Sequence, residues 1–256
     1  MSTTPKPVHR IARRAFRGVG LEEKARRMHE RYRVLRGGPT VWRNHRDDER
    51  VRLVAAAALR EDSNCIDVGA NEGVLLQHFA ELAPRGRHIA YEPVPALAEA
   101  LERRFPAVEV RRVAASDSVG ETSFVVHKEL TSRSSMRSVG YPRELTETLA
   151  VRTEDLDSSL PDGYVPHLLK VDVEGAEHLV LRGALRTLAT HRPLVLFEHQ
   201  KSTASHYSSG PEDMFALLTG EARMRIFDMD GTGPYTLDRF RHVYETGARW
   251  NFLAVG

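Results

Sequence analysis

Long apolar runs are missing from this sequence of 256 residues. The longest, such as Val54–Leu59 and Leu194–Phe197, fall far short of the ~20 residues a membrane span needs. A single cysteine, Cys65, excludes an intramolecular disulfide and points to a reducing, cytoplasmic setting. At the head of an apolar strand it reads as a small hydrophobe with no catalytic part. The basic N-terminal stretch has no apolar segment or small-residue cleavage site behind it, so a signal peptide is not expected. Its arginines lack aromatics at stacking intervals, which argues against a dedicated nucleic-acid surface. Two nucleotide signatures are also absent: a third glycine for the dinucleotide fingerprint, and a Gly-Lys-Ser/Thr for a phosphate loop.

What is present belongs to a globular protein. Hydrophobic residues make up 41% and charged residues 28%, enough to bury a core, in one large domain or one domain with an appendage. Charge is unevenly spread: residues 1–60 hold 16 Lys and Arg against 6 Asp and Glu, the remainder 21 against 29. A solvated helical extension packing on its own acidic domain accounts for that split.

The pattern predicts helices over Ile11–Leu35 and Asp47–Arg60, the second with Val51, Leu53, Val54 and Ala58 on its apolar side. Strand Asn64–Val68, helix Gly73–Leu82, strand His88–Tyr91, helix Ala96–Phe105 and strand Val108–Val113 then alternate. That rhythm predicts a doubly wound, mostly parallel α/β sheet covered on both faces. After a short strand Thr122–His127 the period is lost in Lys128–Leu145, a Ser/Arg-rich insert expected to serve as a substrate-facing lid. Strand Leu168–Val173, helix Ala176–Ala189, strand Leu194–His199, helix Pro211–Leu218 and strands Met224–Phe227 and Trp250–Val255 complete the reading.

Between the first strand and helix stands "DVGANEG", in which Gly69, Asn71 and Gly73 form G-x-N-x-G. Glycines allow close backbone approach, and asparagine tolerates a left-handed conformation. Glu92 ends the second strand, where a carboxylate accepts strong hydrogen bonds from two ribose hydroxyls. Pro93 and Pro95 stiffen its turn. A site that wants a ribose and makes little provision for a diphosphate fits S-adenosylmethionine.

"DVGANEG", "YEPVP", "AASDSVG" and "LLKVDVEGAEHLVLRGA" follow one another over about residues 62–200 in the order and spacing of the FkbM methyltransferases, which this stretch resembles. The resemblance implies a seven-stranded Rossmann-like methyltransferase sheet over residues 61–256 behind a helical cap at 1–60. It implies S-adenosyl-L-methionine as donor and O-methylation of a small-molecule or sugar hydroxyl. It also implies that Asp67 supports the loop and the donor's amino-acid end, and that Asp117, with the backbone of Ala115 or Ser116, receives the adenine amino group.

Asp172, Glu198 and His199 end two later strands, on the edge where open α/β sheets bind ligands. Asp172 is expected to stabilise a cationic donor and orient a hydroxyl. His199, the side chain that titrates near neutrality, or an acid is expected to take the proton, with Glu198 beside it. Glu174 and Glu177 read as helix-dipole partners, and Lys170 as a structural partner of Asp172 or Glu198. No metal is required for methylation by proximity. A magnesium set of Asp172, Glu174 and His199 is the alternative. N-methylation, a non-catalytic donor-binding module and a dehydrogenase are the rival functions. The expected partner is a small-molecule acceptor, without nucleic acid or a membrane span; a homodimer is compatible with the sequence.

Overall fold

The computed structural model describes residues 38–127, 146–207 and 209–256. The expected helix Ile11–Leu35 and the insert Lys128–Leu145 lie outside the described residues. The chain divides into two compact units between Glu49 and Arg50. Of the first, the described part is the opening of helix α1 (Pro39–Ala58), where His45 and Glu49 pair one turn apart at 3.5 Å. The helix starts at Pro39 rather than Asp47, because proline in a first turn forfeits only an N–H that has no helical partner anyway.

In the second unit the end of α1 buries Ala55, with Val51, Val54 and Leu59 partly buried around it. Leu53 and Ala58, expected on that side, are exposed, because the inward positions are Val51, Val54, Ala55 and Leu59. Strand β1 (Cys65–Val68), helix α2 (Val74–Leu82), strand β2 (Ile89–Tyr91), helix α3 (Pro95–Arg104) and strand β3 (Glu109–Arg111) follow as read. The expected strand Val108–Val113 is interrupted there. Residues Ala114–Ala115 form β4, which leaves the large sheet and pairs with β6 (Thr146–Glu154). That strand, unread in the sequence, runs antiparallel to β5 (Gly120–His127), with Gly120 opposite Thr153 and His127 opposite Thr146.

After the short helix α4 (Leu156–Ser159) the chain returns to the large sheet as β7 (Leu168–Val171). The expected helix Ala176–Ala189 is two, α5 (Glu177–Arg182) and α6 (Leu185–His191). They part at Gly183, where a Cβ would lie 2.0 Å from the Ser116 carbonyl oxygen, so a tertiary contact sets the break. Strand β8 (Leu194–Glu198), helices α7 (Lys201–Ala204) and α8 (Pro211–Phe215) and strand β9 (Arg225–Asp228) follow. Helix α9 (Leu237–Thr246) lies in a span for which the sequence predicts no element. Its signals were local: Thr236 caps it and Gly247 ends it in a left-handed conformation, while Phe240, Val243 and Tyr244 recur at helical spacing. Strand β10 (Asn251–Val255) closes the chain.

The result is a seven-stranded sheet in the order β3-β2-β1-β7-β8-β10-β9, parallel except for β10, which is antiparallel to both neighbours. Strands β1 and β7 are buried on both faces. One face packs Ile66, Val68, Val171 and Phe197 against Val180, Leu181 and Phe240; the other packs Cys65, Leu168 and Leu196 against Ala55 and Phe79. Each Val, Ile, Leu and Phe among them, fully buried, contributes about 1.5–3 kcal/mol. The chain walks outward from β1 to β3, then re-enters beside β1 as β7. That reversal opens a crevice beyond the carboxyl ends of β1 and β7. Among the described residues, no helix is long and apolar enough to cross a membrane.

Candidate active site

The loop after β1 is held from both sides. The N–H groups of Gly69 and Ala70 both donate to the Tyr91 carbonyl of β2, at 3.0 and 3.2 Å, and Asp172 N–H donates to Val68 at 3.1 Å. Gly69 has φ +77°, and a Cβ there would stand 2.0 Å from the Asp172 carbonyl oxygen, so no side chain fits. Asn71 is left-handed at φ 49°, the conformation asparagine tolerates best among non-glycine residues. Gly73, buried against Leu101 and Phe105, starts helix α2.

Glu92 follows β2 and is 3% exposed. Its Oε2 accepts from Asn71 N–H at 2.8 Å and its Oε1 from Val94 N–H at 2.9 Å. Burial pushes its pKa above the usual carboxylate range, against the pull of those two N–H groups and of Lys170. Each oxygen keeps an accepting lone pair, so the carboxylate both sets the loop and retains the capacity to hold two vicinal hydroxyls. Pro93, half-buried, carries the chain from Glu92 into α3. These residues fit the ribose of an adenosine-bearing donor: a buried anionic acceptor beside a tight, left-handed backbone loop.

Beneath the loop, register pairs Asp67 of β1 with Lys170 of β7. Lys170 Nζ lies 3.1 Å from Asp67 Oδ1 and 3.8 Å from Asp172 Oδ2, and donates to the Gly69 carbonyl at 2.9 Å. Burial would lower the Lys170 pKa, but the carboxylates of Asp67 and Asp172 outweigh it and the net direction is upward. Asp67, 1% exposed, is pushed up by burial and drawn back by Lys170. Lys170 is therefore the bolt between loop and crevice wall, joining Asp67 to Asp172 as well as supporting the glycine turn.

At the next strand ends Asp172 is exposed and Glu198 is half-buried. Glu198 is pushed well above the carboxylate range by burial, then by the charges of Asp172, Glu177 and Glu174. Gln200 Nε2 donates to Glu198 Oε1 at 2.6 Å. Among the described residues, no group of three or more His, Cys, Asp or Glu side chains stands where a metal ion could be held.

His199 departs from expectation. It is 1% exposed, stacked on Tyr244 at 4.7 Å and on Phe240 at 5.9 Å between ring centroids. Burial, then the nearby His178, lowers its pKa to about 4. The reason is strand parity: Val195, Phe197 and His199 point to the face covered by α9, whereas Glu198 points to the opposite one. Ser116 and Asp117 follow β4 in the smaller sheet rather than a strand of the large one. Ser116 is buried, with its N–H donating to Glu154 at 2.8 Å; Asp117 is exposed and accepts from Ser118 Oγ at 3.3 Å. Two residues of the site were passed over in the sequence. Gln200 has no motif to mark it. Glu177 was read as a dipole partner, but it is 1% exposed and accepts from Val173 and Gly175 N–H.

Comparison with curated proteins returns no match. Among solved structures the chain is similar to a methyltransferase FkbM from Methylobacillus flagellatus KT, at 17% identity and TM-score 0.47, over 77% of this chain and 44% of that one. The chain thus spans less than half the length of that relative. It is similar also to a TehB-like SAM-dependent methyltransferase from Corynebacterium glutamicum ATCC 13032 Kitasato, at 12% identity and TM-score 0.41, over 89% and 96% of the two chains. A coclaurine N-methyltransferase bound to N-methylheliamine and SAH is similar at 14% identity and TM-score 0.34, over 60% of this chain and 35% of that one. The family model for the methyltransferase FkbM domain matches residues 67–225, from the buried aspartate of β1 to the start of β9. With that match, the chain belongs to the FkbM family of methyltransferases.

Proposed function

We propose that this chain is an O-methyltransferase acting on a hydroxyl of a small molecule, a sugar or other natural product, in the cytoplasm. Asp67, Gly69, Asn71, Gly73, Glu92 and Pro93 would hold the donor, with Ser116 and Asp117 at its adenine. When bound, the donor supplies an electrophilic methyl group on a positively charged sulfur. The reading rests on one observation above the others: Asp172 and Glu198 stand side by side at the ends of the adjacent strands β7 and β8, and Lys170 ties the loop after β1 to Asp172. Asp172 would orient the donor's cationic sulfur and the acceptor hydroxyl, and a carboxylate of the pair would accept the proton that the hydroxyl gives up. Base assistance of this kind is worth ~10²–10⁴ in rate, and alignment of the reacting atoms more. His199, buried and neutral at pH 7, is a poor candidate for that proton, so we transfer the role to the carboxylates. The basic segment 1–60 would act as a cap on the catalytic domain 61–256.

N-methylation is the second reading, because the same carboxylates would attract a cationic amine. Incubation with S-adenosylmethionine and matched panels of sugar alcohols, phenols and amines, read by S-adenosylhomocysteine release and product mass, separates the two. Methylation confined to amines overturns the proposal; donor binding with no product from either panel favours a non-catalytic module.

A further inference from the structure

The turn that joins β7 to α5 carries Asp172 at its start and is unusual in its backbone. Glu174 sits at φ 56° and Gly175 at φ 108°, both in the left-handed half of conformational space. Such conformations persist only where surrounding structure imposes them. Two contacts do so here. From inside, Glu177 Oε1 accepts from Val173 N–H at 3.0 Å and from Gly175 N–H at 3.1 Å. From outside, Gly175 presses on α7: a Cβ there would lie 2.5 Å from the Thr203 carbonyl oxygen and 3.0 Å from the Tyr207 ring. Helix α7 follows directly on Gln200, the residue that donates to Glu198. The turn is thus packed between the end of β7 and the segment that runs on from β8.

A carboxylate is an expensive way to satisfy two N–H groups in a buried place. Glu177 is 1% exposed, and its second oxygen, Oε2, has no hydrogen-bond partner. Burial, with Asp172 adding to it against three backbone N–H groups, pushes its pKa up to about 7. A cap for a helix dipole would sit at the solvent-exposed first turn at no such cost. The position of the turn itself is what this side chain secures.

We propose that Glu177 is a positioning residue: through the Val173–Gly175 turn it sets the Asp172 carboxylate against the donor's cationic sulfur and holds the wall of the crevice that begins at Glu198. The inference rests on the placement of Asp172 given above. It makes no contact between Glu177 and donor or acceptor, since neither oxygen is open to solvent.

The test requires no acceptor. Calorimetry with S-adenosylmethionine, which is cationic at sulfur, and S-adenosylhomocysteine, which is not, gives an affinity ratio that reports the carboxylate beside the sulfur. Asp172→Asn should weaken the first ligand at least fivefold relative to the second. Glu177→Ala should shift the ratio the same way, and amide exchange at Val173 and Gly175 should accelerate at least tenfold. Glu177→Gln keeps an accepting oxygen in place and should restore both. Gly175→Ala disturbs the turn from its other side with Glu177 intact and should reproduce the shifted ratio, covering the case in which Glu177→Ala does not fold. If Asp172→Asn shifts the ratio and neither Glu177→Ala nor Gly175→Ala does, the positioning role is overturned and the placement of Asp172 stands. If Asp172→Asn leaves the ratio unchanged, that placement falls and the inference with it. Failure of Glu177→Gln to restore the ratio would assign the effect to charge and overturn positioning.

Discussion

Two buried groups in this fold titrate over the same pH range with opposite effects on stability. Burial pushes the Glu177 pKa up to about 7 from an ordinary 4.5 and lowers that of His199 from 6.5 to about 4. For Glu177 the unfolded chain releases its proton first, so between pH 4.5 and 7 the folded state binds more protons and stability falls as pH rises. For His199 the unfolded chain takes a proton first, so stability falls as pH drops from 6.5 to 4. Each displacement, at 1.36 kcal/mol per unit, corresponds to about 3 kcal/mol. In the wild type the two slopes oppose each other. The groups facing Glu177 are Asp172, Glu198 and the N–H groups of Val173, Gly175 and Glu177 itself; those facing His199 are His178, Asp213 and the Gly210 backbone. Single variants should expose each limb. In urea denaturation from pH 4 to pH 8, Glu177→Gln should match the wild type at pH 4 and exceed it by about 3 kcal/mol at pH 8. His199→Phe keeps a ring against Tyr244 and Phe240 and should gain about 3 kcal/mol on the wild type between pH 6.5 and pH 4, whatever its constant packing difference. A variant-minus-wild-type difference flat to within about 1 kcal/mol across the range refutes the burial argument for that residue.

Glu92→Ala removes the acceptor of two ribose hydroxyls; at about 1.5 kcal/mol each, donor affinity by calorimetry should drop roughly a hundredfold. The same change orphans the N–H groups of Asn71 and Val94, so the melting temperature should fall too; an unchanged dissociation constant in the folded variant removes Glu92 from the donor site. Gly69→Ala must displace the Asp172 carbonyl, and loss of soluble protein or of donor binding is expected. Asp172→Asn should lower turnover by ~10² or more, and retention of full kcat would take this residue out of the chemistry. Because His199 stays neutral down to about pH 4, the pH profile of kcat should lack an ionisation near 6.5 that disappears in His199→Phe; finding one restores it as the base.

The sequence by itself determined the alternation of strands and helices and the loop between β1 and α2. It also determined that Glu92, Asp172 and Glu198 end strands. These are local properties: apolar runs flanked by turn residues, left-handed positions at Gly69, Asn71 and Gly73, and carboxylates immediately after β-rich stretches. It did not determine which way the side chains at those strand ends point. Glu198 and His199 are neighbours in one motif, but a pleated strand sends consecutive residues to opposite faces, and the face covered by α9 depends on a helix some forty positions later. The use of Lys170 was equally non-local, since its partner Asp67 is set by the register of β1 on β7 across roughly a hundred intervening residues. Gly183 divides a helix because the Ser116 carbonyl occupies the space beside it, and Glu177 is costly because α5 is buried. Chemistry that depends on burial, register and approach is settled only when distant segments pack, because desolvation and contact do not exist in the chain until then.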